Sequence, residues 1–258
     1  TEAGFGADLG FEKFMHIKSR LNDLSPHAAV IVASVRALKS HGGVPLSQLG
    51  VESADAVRKG MPNLSHLIKA IKSFGLPVVV AINKFPGDTE EELSIIKSES
   101  EQCGADSAAE SDAFTQGGKG TIELAGEVVK ATNGSKPQIN YMYELSDSLE
   151  EKIEALATKM YNAKGISLTS NAKKALRQFD SNGWSDLPIC MAKTHLSLSH
   201  DRSLKGLPEN YTFEVSDARV SRGAGFVYPI AGSIMTMPGL PNSPRKLDVD
   251  SKGTILGL

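Results

Sequence analysis

The residues best suited to chemistry lie in short glycine-containing turns. Thr1-Glu2-Ala3-Gly4-Phe5-Gly6-Ala7-Asp8-Leu9-Gly10 sets glycines and an aspartate directly before a helical pattern. Glycine lets backbone approach a ligand closely, Asp8 can cap the helix that follows, and a helix N-terminus favours an anion. Val35-Arg36-Ala37-Leu38-Lys39-Ser40-His41-Gly42-Gly43 follows an apolar run and offers Arg36, Lys39 and His41 as an anion pocket. A solvated turn with incidental charges explains the same residues equally well. Asn83-Lys84-Phe85-Pro86-Gly87-Asp88-Thr89 ends the clearest strand pattern. There Phe85, between a lysine and a Pro-Gly turn, is placed to offer a flat face to a ring, and the competing reading makes it a lid on the local core. Phe114-Thr115-Gln116-Gly117-Gly118-Lys119-Gly120-Thr121 is a second glycine-rich turn opening a helix.

Other chemistries fail on spacing. The phosphate-loop pattern G-x-x-x-x-G-K-[ST] is broken twice, by Ala113 at its first glycine and Gly120 at its hydroxyl position. The opening glycines are spaced one residue too widely for a dinucleotide fingerprint. Phe85-Pro86-Gly87 holds Asn83-Lys84 too far from Asp88 for a guanine-reading loop. His195 and His200 are five apart, an offset that neither helix nor strand places on one face, so no metal site is expected from them. Ser197 and Ser199 lack a nucleophile elbow. Ser221–Phe226 and Met235–Pro241 are turns that packing and ligand contact explain about equally.

These turns need a scaffold, and the periodicity supplies one. Phe11, Phe14, Met15 and Leu21 predict an apolar helical stripe starting near Asp8. Ala28–Ala33 is an unbroken apolar run, expected as a strand buried on both faces, and Pro77–Ile82 is another. Leu64, Ile68 and Ile71 mark a helix between them, ended by Gly75, and Thr89-Glu90-Glu91-Glu92 is a capping box for the next. Further helices carry Ile122 to Val129, Leu149 to Met160 and Ala172 to Phe179, with Leu187–Ala192 as a strand after them. From Tyr211 the alternation of Tyr211, Phe213 and Val215 predicts antiparallel strands returning to the body. The fold class is α/β, mainly parallel sheets flanked by helices, with antiparallel strands near the C-terminus. Ligands in such folds bind beyond the carboxyl ends of the strands, where the glycine turns fall.

Composition narrows the function classes. The chain has 258 residues, 40% hydrophobic and 22% charged, which fits one or two globular domains and excludes disorder. A net charge of −2 gives no electrostatic reason for nucleic acid or an anionic membrane. No apolar run approaches the roughly 18 residues of a membrane span. Cys103 and Cys190 make no disulfide framework, so a reducing compartment is expected.

In combination the segments resemble the formate–tetrahydrofolate ligase family, found as a monofunctional enzyme and as the synthetase domain of C1-tetrahydrofolate synthase. The resemblance rests on TEAGFGADLG at 1–10, VRALKSHGG at 35–43, PVVVAINKFPGDTEEEL at 77–93, GGKG at 117–120, LPICMAKTHLSLSH at 187–200 and MTMPGLP at 235–241, in order along the chain. It covers the C-terminal part of that family. The front part, with its P-loop, is not among these residues, and the chain is expected to be the back part of a larger enzyme. The implied domains are 1–65, the rear of a nucleotide-binding domain of P-loop-NTPase ancestry; 66–205, an α/β domain contributing a folate pocket; and 206–258, strands packing back on the body.

The resemblance further implies a reaction in which ATP, with Mg²⁺, converts formate to formyl phosphate, and N10 of tetrahydrofolate takes the formyl group. By motif position Phe85 and Phe114 would sandwich the folate ring, with Pro86, Phe5 and Gly117 beside them. Many relatives carry Trp at the position of Phe114, so this chain keeps a stacking face and loses an indole donor. Gly4 and Gly6 would bring backbone near formyl phosphate. Arg36 and His41 are candidate catalytic anion contacts, the principal catalytic Lys and Arg being expected in the front part. The family also implies a homo-oligomer, a monovalent cation, and a cytoplasmic or mitochondrial setting, without nucleic-acid or membrane partners. The alternatives are a relative using another one-carbon acceptor and a degenerate module that binds folate or a partner without ligation.

Overall fold

The computed structural model describes residues 1–134, 136–232, 248–251 and 255–256. The MTMPGLP segment at 235–241 lies outside the described residues. The architecture is α/β, with parallel sheets, flanking helices and antiparallel strands toward the C-terminus.

The first sheet is parallel, in the order β1 (Ala29–Ala33), β2 (Val78–Asn83), β3 (Ser107–Ser111). Between them run α1 (Val35–His41), α2 (Ala54–Lys72) and α3 (Glu90–Gln102). Val78 to Ile82 are all buried, as a central parallel strand of β-branched residues should be. β1 departs from the expectation of burial on both faces. Ala29, Ile31 and Ala33 enter the core, but Val30 and Val32 are 46% and 67% exposed. β1 is the outer strand of this sheet, and the face carrying those two valines has no cover among the described residues.

Local chemistry places the helix starts. Ser34, Ser53 and Thr89 cap α1, α2 and α3, and Thr89 and Glu92 form the reciprocal box predicted from sequence. After β3 come α4 (Ala113–Gln116), a 3₁₀ turn (Gly117–Thr121) and α5 (Ile122–Thr132), which lies against β2 and β3.

The second half holds α6 (Leu149–Lys159), β4 (Gly165–Leu168), α7 (Ser170–Ser181) and β5 (Thr212–Val215). The alternation at Tyr211, Phe213 and Val215 does mark a strand, but β5 pairs parallel with β4, contrary to the antiparallel expectation. Alternation reports one buried face; it does not report strand direction. The antiparallel pairs are β6 (Asp217–Ser221) with β7 (Phe226–Ile230), and β8 (Asp248–Val249) with β9 (Ile255–Leu256). Leu187–Ala192 runs beside β7, with the Cys190 and Ala192 amides donating to the Val227 and Pro229 carbonyls at 2.8 and 2.9 Å. The boundary expected after residue 65 falls inside α2, and β1 before it shares a sheet with β2 and β3 after it.

The opening segment forms two wide helical stretches, Ala7–Phe11 and Phe14–Ser19. Of the expected apolar stripe, Phe11, Phe14 and Met15 do pack on the core, but the inward side also carries polar residues. Met15 is buried, but so are Asp8, Glu12, His16 and Ser19, while Leu21 is half exposed. Polar groups can occupy that position because distant segments pair with them. His16 bonds Glu12 through Nδ1 at 2.8 Å, accepts the Met142 amide at Nε2 and stacks on Tyr143 at 4.5 Å.

Candidate functional site

The carboxyl ends of β1, β2 and β3 lie side by side, because all three strands run parallel and in register. Each leads into one of the candidate turns. From β1, Ser34 caps α1 and puts Arg36 in the first turn of that helix. From β2, the chain enters Lys84-Phe85-Pro86-Gly87-Asp88, closed by the Phe85 amide donating to the Asp88 carboxylate at 2.9 Å. From β3, Phe114 sits on α4 ahead of Gly117.

The side chains at this edge are open to solvent. Phe114 is 83% exposed and Phe85 half-buried, so neither ring is a core residue. The Arg36 guanidinium stands 5.1 Å from the Phe85 ring centre, a cation–π contact that covers part of the ring. Pro86 is exposed beside it. Gly117 has φ 60 and ψ −142, a conformation effectively reserved for glycine, and the turn it makes lets the Asp112 amide donate to the Gly120 carbonyl at 3.0 Å. Lys84 bonds both Glu90 and Glu110, and these bonds raise its pKa, so this cation is already matched by carboxylates.

A second cluster gathers at the opening turn. Phe5 has φ 64, unusual for a bulky residue, and its ring is 80% exposed. That ring leans on His195, with centres 5.6 Å apart. Asp8 forms an ion pair of 2.5 Å with the ammonium of Lys193, whose side chain is fully buried. The same ammonium donates to the carbonyls of Thr194 and Ser197 at 3.0 and 2.6 Å. Burial lowers the Lys193 pKa against the opposing pull of Asp8. Gly4 and Gly6 flank Phe5 in this turn, with the Gly6 carbonyl accepting the Leu9 and Gly10 amides.

Arg36 and His41 do not share one pocket. They stand at opposite ends of α1, five residues or about 7.5 Å apart along its axis. His41 belongs with the opening turn, where its Nδ1 accepts the Gly206 amide at 3.2 Å. Burial and then Lys205 lower its pKa, against a smaller raising effect of Asp8, so the ring is neutral near pH 7. A neutral His41 can donate a hydrogen bond from Nε2, but it brings no positive charge to an anion. Lys39 is also unavailable as a pocket cation. It is buried, with its ammonium 2.9 Å from Glu92 and 3.0 Å from the Val51 carbonyl. Sequence reading missed Asp8–Lys193 and Lys39–Glu92 as partners, since separations of 185 and 53 residues leave no periodic trace.

Among the described residues no three His, Cys, Asp or Glu side chains gather as metal ligands would. Of the buried carboxylates, Asp8 and Glu92 are taken by lysines, and Glu12 bonds His16 through one oxygen.

The family model for formate–tetrahydrofolate ligase matches residues 1–258. The chain belongs to that family. Formate–tetrahydrofolate ligases of Bacillus licheniformis and Thermotoga petrophila are 46% and 47% identical to it over 260 residues, covering all of this chain and 46% and 47% of theirs. The cytoplasmic C-1-tetrahydrofolate synthase of Schizosaccharomyces pombe is 45% identical over 268 residues, which is 29% of its length. The chain therefore spans about half the length of the monofunctional ligases it matches. In this family member, no described helix is long and apolar enough to cross a membrane.

Proposed function

We propose that this chain is the folate-binding part of an ATP-dependent enzyme that joins formate to tetrahydrofolate, giving 10-formyltetrahydrofolate, ADP and phosphate. The reading is carried by one observation: in a chain of this family, two phenylalanines outside the buried core, Phe85 half-buried and Phe114 exposed, follow adjacent parallel strands. A reduced pterin needs a flat apolar slot with polar groups at its edges. Arg36 takes one face of Phe85, leaving the opposite face to the pterin, and Phe114 closes on it from the neighbouring turn. Pro86 and Gly117 shape the rim, and Phe5 reaches the same ligand from the opening turn.

The chemistry divides into two steps. A formate oxygen attacks the terminal phosphorus of ATP, breaking its bond to the bridging oxygen, so formyl phosphate and ADP form. N10 of tetrahydrofolate then attacks the formyl carbon, phosphate leaves, and N10 loses its proton. Gly4 and Gly6 bring backbone toward the formyl phosphate with His41 as a neutral donor at the opening turn, and Arg36 is a charged anion contact at the sheet edge. Because positions 113–120 do not make a P-loop, the triphosphate with Mg²⁺ is assigned to a segment outside residues 1–258, of P-loop-NTPase ancestry, which would adjoin the 1–65 region. The 66–205 region would hold the folate, and 206–258 would pack against it. A cytoplasmic homo-oligomer is the setting this reading favours.

The test is product formation by the full-length protein given formate, ATP and tetrahydrofolate. Formate-dependent 10-formyltetrahydrofolate is expected from the full-length protein and none from residues 1–258 alone. A full-length protein that binds tetrahydrofolate without formate-dependent ADP release would instead be a binding module.

A further inference from the structure

The opening turn is an unfavourable conformation held in place. Phe5 adopts φ 64, which a bulky L-residue avoids, and its ring is exposed rather than packed in the core. Something else must fix it. Gly10 lets the turn fold back on its own helix, because a Cβ there would lie 1.8 Å from the Gly4 carbonyl oxygen. Beyond that contact, the tie is Asp8, three residues after Phe5, whose carboxylate is held by Lys193. Lys193 in turn organises its own loop. Its three donors are matched by Asp8 and by the Thr194 and Ser197 carbonyls, while Ser197 Oγ accepts the Ser199 amide. One buried ammonium therefore sets both sides of the Phe5–His195 contact.

We propose that Asp8 and Lys193 are positioning residues: their ion pair clamps the 4–6 turn to the 193–199 loop and so holds Phe5, backed by His195, in its ligand-facing conformation. This rests on the reading that Phe5 contacts tetrahydrofolate. Neither member of the pair touches substrate. Their effect passes through the placement of the Phe5 ring.

The experiment uses the full-length enzyme and four test variants, Asp8→Asn, Lys193→Met, Asp8→Asn with Lys193→Met, and His195→Ala, beside Phe5→Ala and Phe85→Ala for comparison. Each single change of the pair should raise KM for tetrahydrofolate about tenfold, matching Phe5→Ala, with kcat and the KM for ATP changed much less. The double change should cost no more than the worse single, because the two residues act as one unit. Hydrogen exchange in a peptide covering residues 1–10 should speed up in Lys193→Met while the peptide carrying Phe85 is unchanged. His195 is exposed, so His195→Ala should fold even where a buried-pair variant does not, and it should raise the same KM several-fold.

An unchanged tetrahydrofolate KM in folded pair variants, or in His195→Ala, overturns the proposal and leaves the pair a stability element only. Phe85→Ala is the control for the underlying reading. If it lowers tetrahydrofolate affinity while the pair variants do not, the clamp fails and the folate site stands. If Phe85→Ala and Phe5→Ala are both silent, the folate site itself is misplaced.

Discussion

The sheet edge and the opening turn hold their candidate ligand-facing rings by different means. At the sheet edge, Phe85 and Phe114 follow directly from regular elements: a buried strand, a short turn closed by Asp88 or Gly117, and a helix start. The backbone support is local, coming from residues within a few positions of each ring, with Arg36 on Phe85 as a distant ring contact. At the opening turn, Phe5 depends on Lys193 and His195, both far away in sequence. Rings on local supports should tolerate change elsewhere in the molecule. A ring on a distant support should respond to substitutions that never touch it.

Changes at four positions would break or sharpen that contrast. The largest effect is expected from Glu92→Gln, because Glu92 joins the two modes. It closes the capping box of α3 just after the Phe85 turn, and it also holds buried Lys39 and the Ser53 amide. Burial alone would raise its pKa, but the Ser53 amide, Lys39 and the Thr89 amide outweigh that and lower it. Removing the charge strands an ammonium in the core, and urea denaturation should show about 3–5 kcal/mol lost.

Next comes Phe114→Ala, expected to weaken tetrahydrofolate binding by about 1–2 kcal/mol, with Phe114→Trp keeping affinity because a stacking face remains. Titration of tetrahydrofolate checks both. Gly117→Ala follows, with about 1–2 kcal/mol of backbone strain at φ 60, visible as a lowered melting temperature. A smaller effect is the pH dependence from His41. Its folded pKa lies below the ordinary 6.5, so as pH falls through that value the unfolded chain takes up the proton first. Stability present above about pH 6.5 should decline as pH drops toward the lowered folded value. Replacing His41 with Gln should flatten that slope in urea midpoints measured across it.

The same contrast explains what the sequence made legible. The Thr89–Glu92 box, the buried run of β2 and the glycine turns at strand ends were readable because each is encoded within a few residues. On the opening helix, Phe11, Phe14 and Met15 pack inward as their spacing indicates, but Asp8 and His16 look like surface residues until Lys193 and the Met142 amide are brought to them. β1 was misread for a related reason. Its composition is that of a strand covered on both sides, but β1 lies at the sheet's outer edge and Val30 and Val32 are exposed among the described residues. Parallel pairing of β5 with β4 was invisible because alternation carries no direction.

The central claim is that the turn after β2 holds the pterin. It is tested most directly by equilibrium titration of tetrahydrofolate and ATP into the full-length Phe85→Ala enzyme. Tetrahydrofolate affinity should fall by about 1–3 kcal/mol, from lost apolar burial, with ATP affinity nearly unchanged. Unaltered tetrahydrofolate affinity would contradict the account and remove Phe85 from the site.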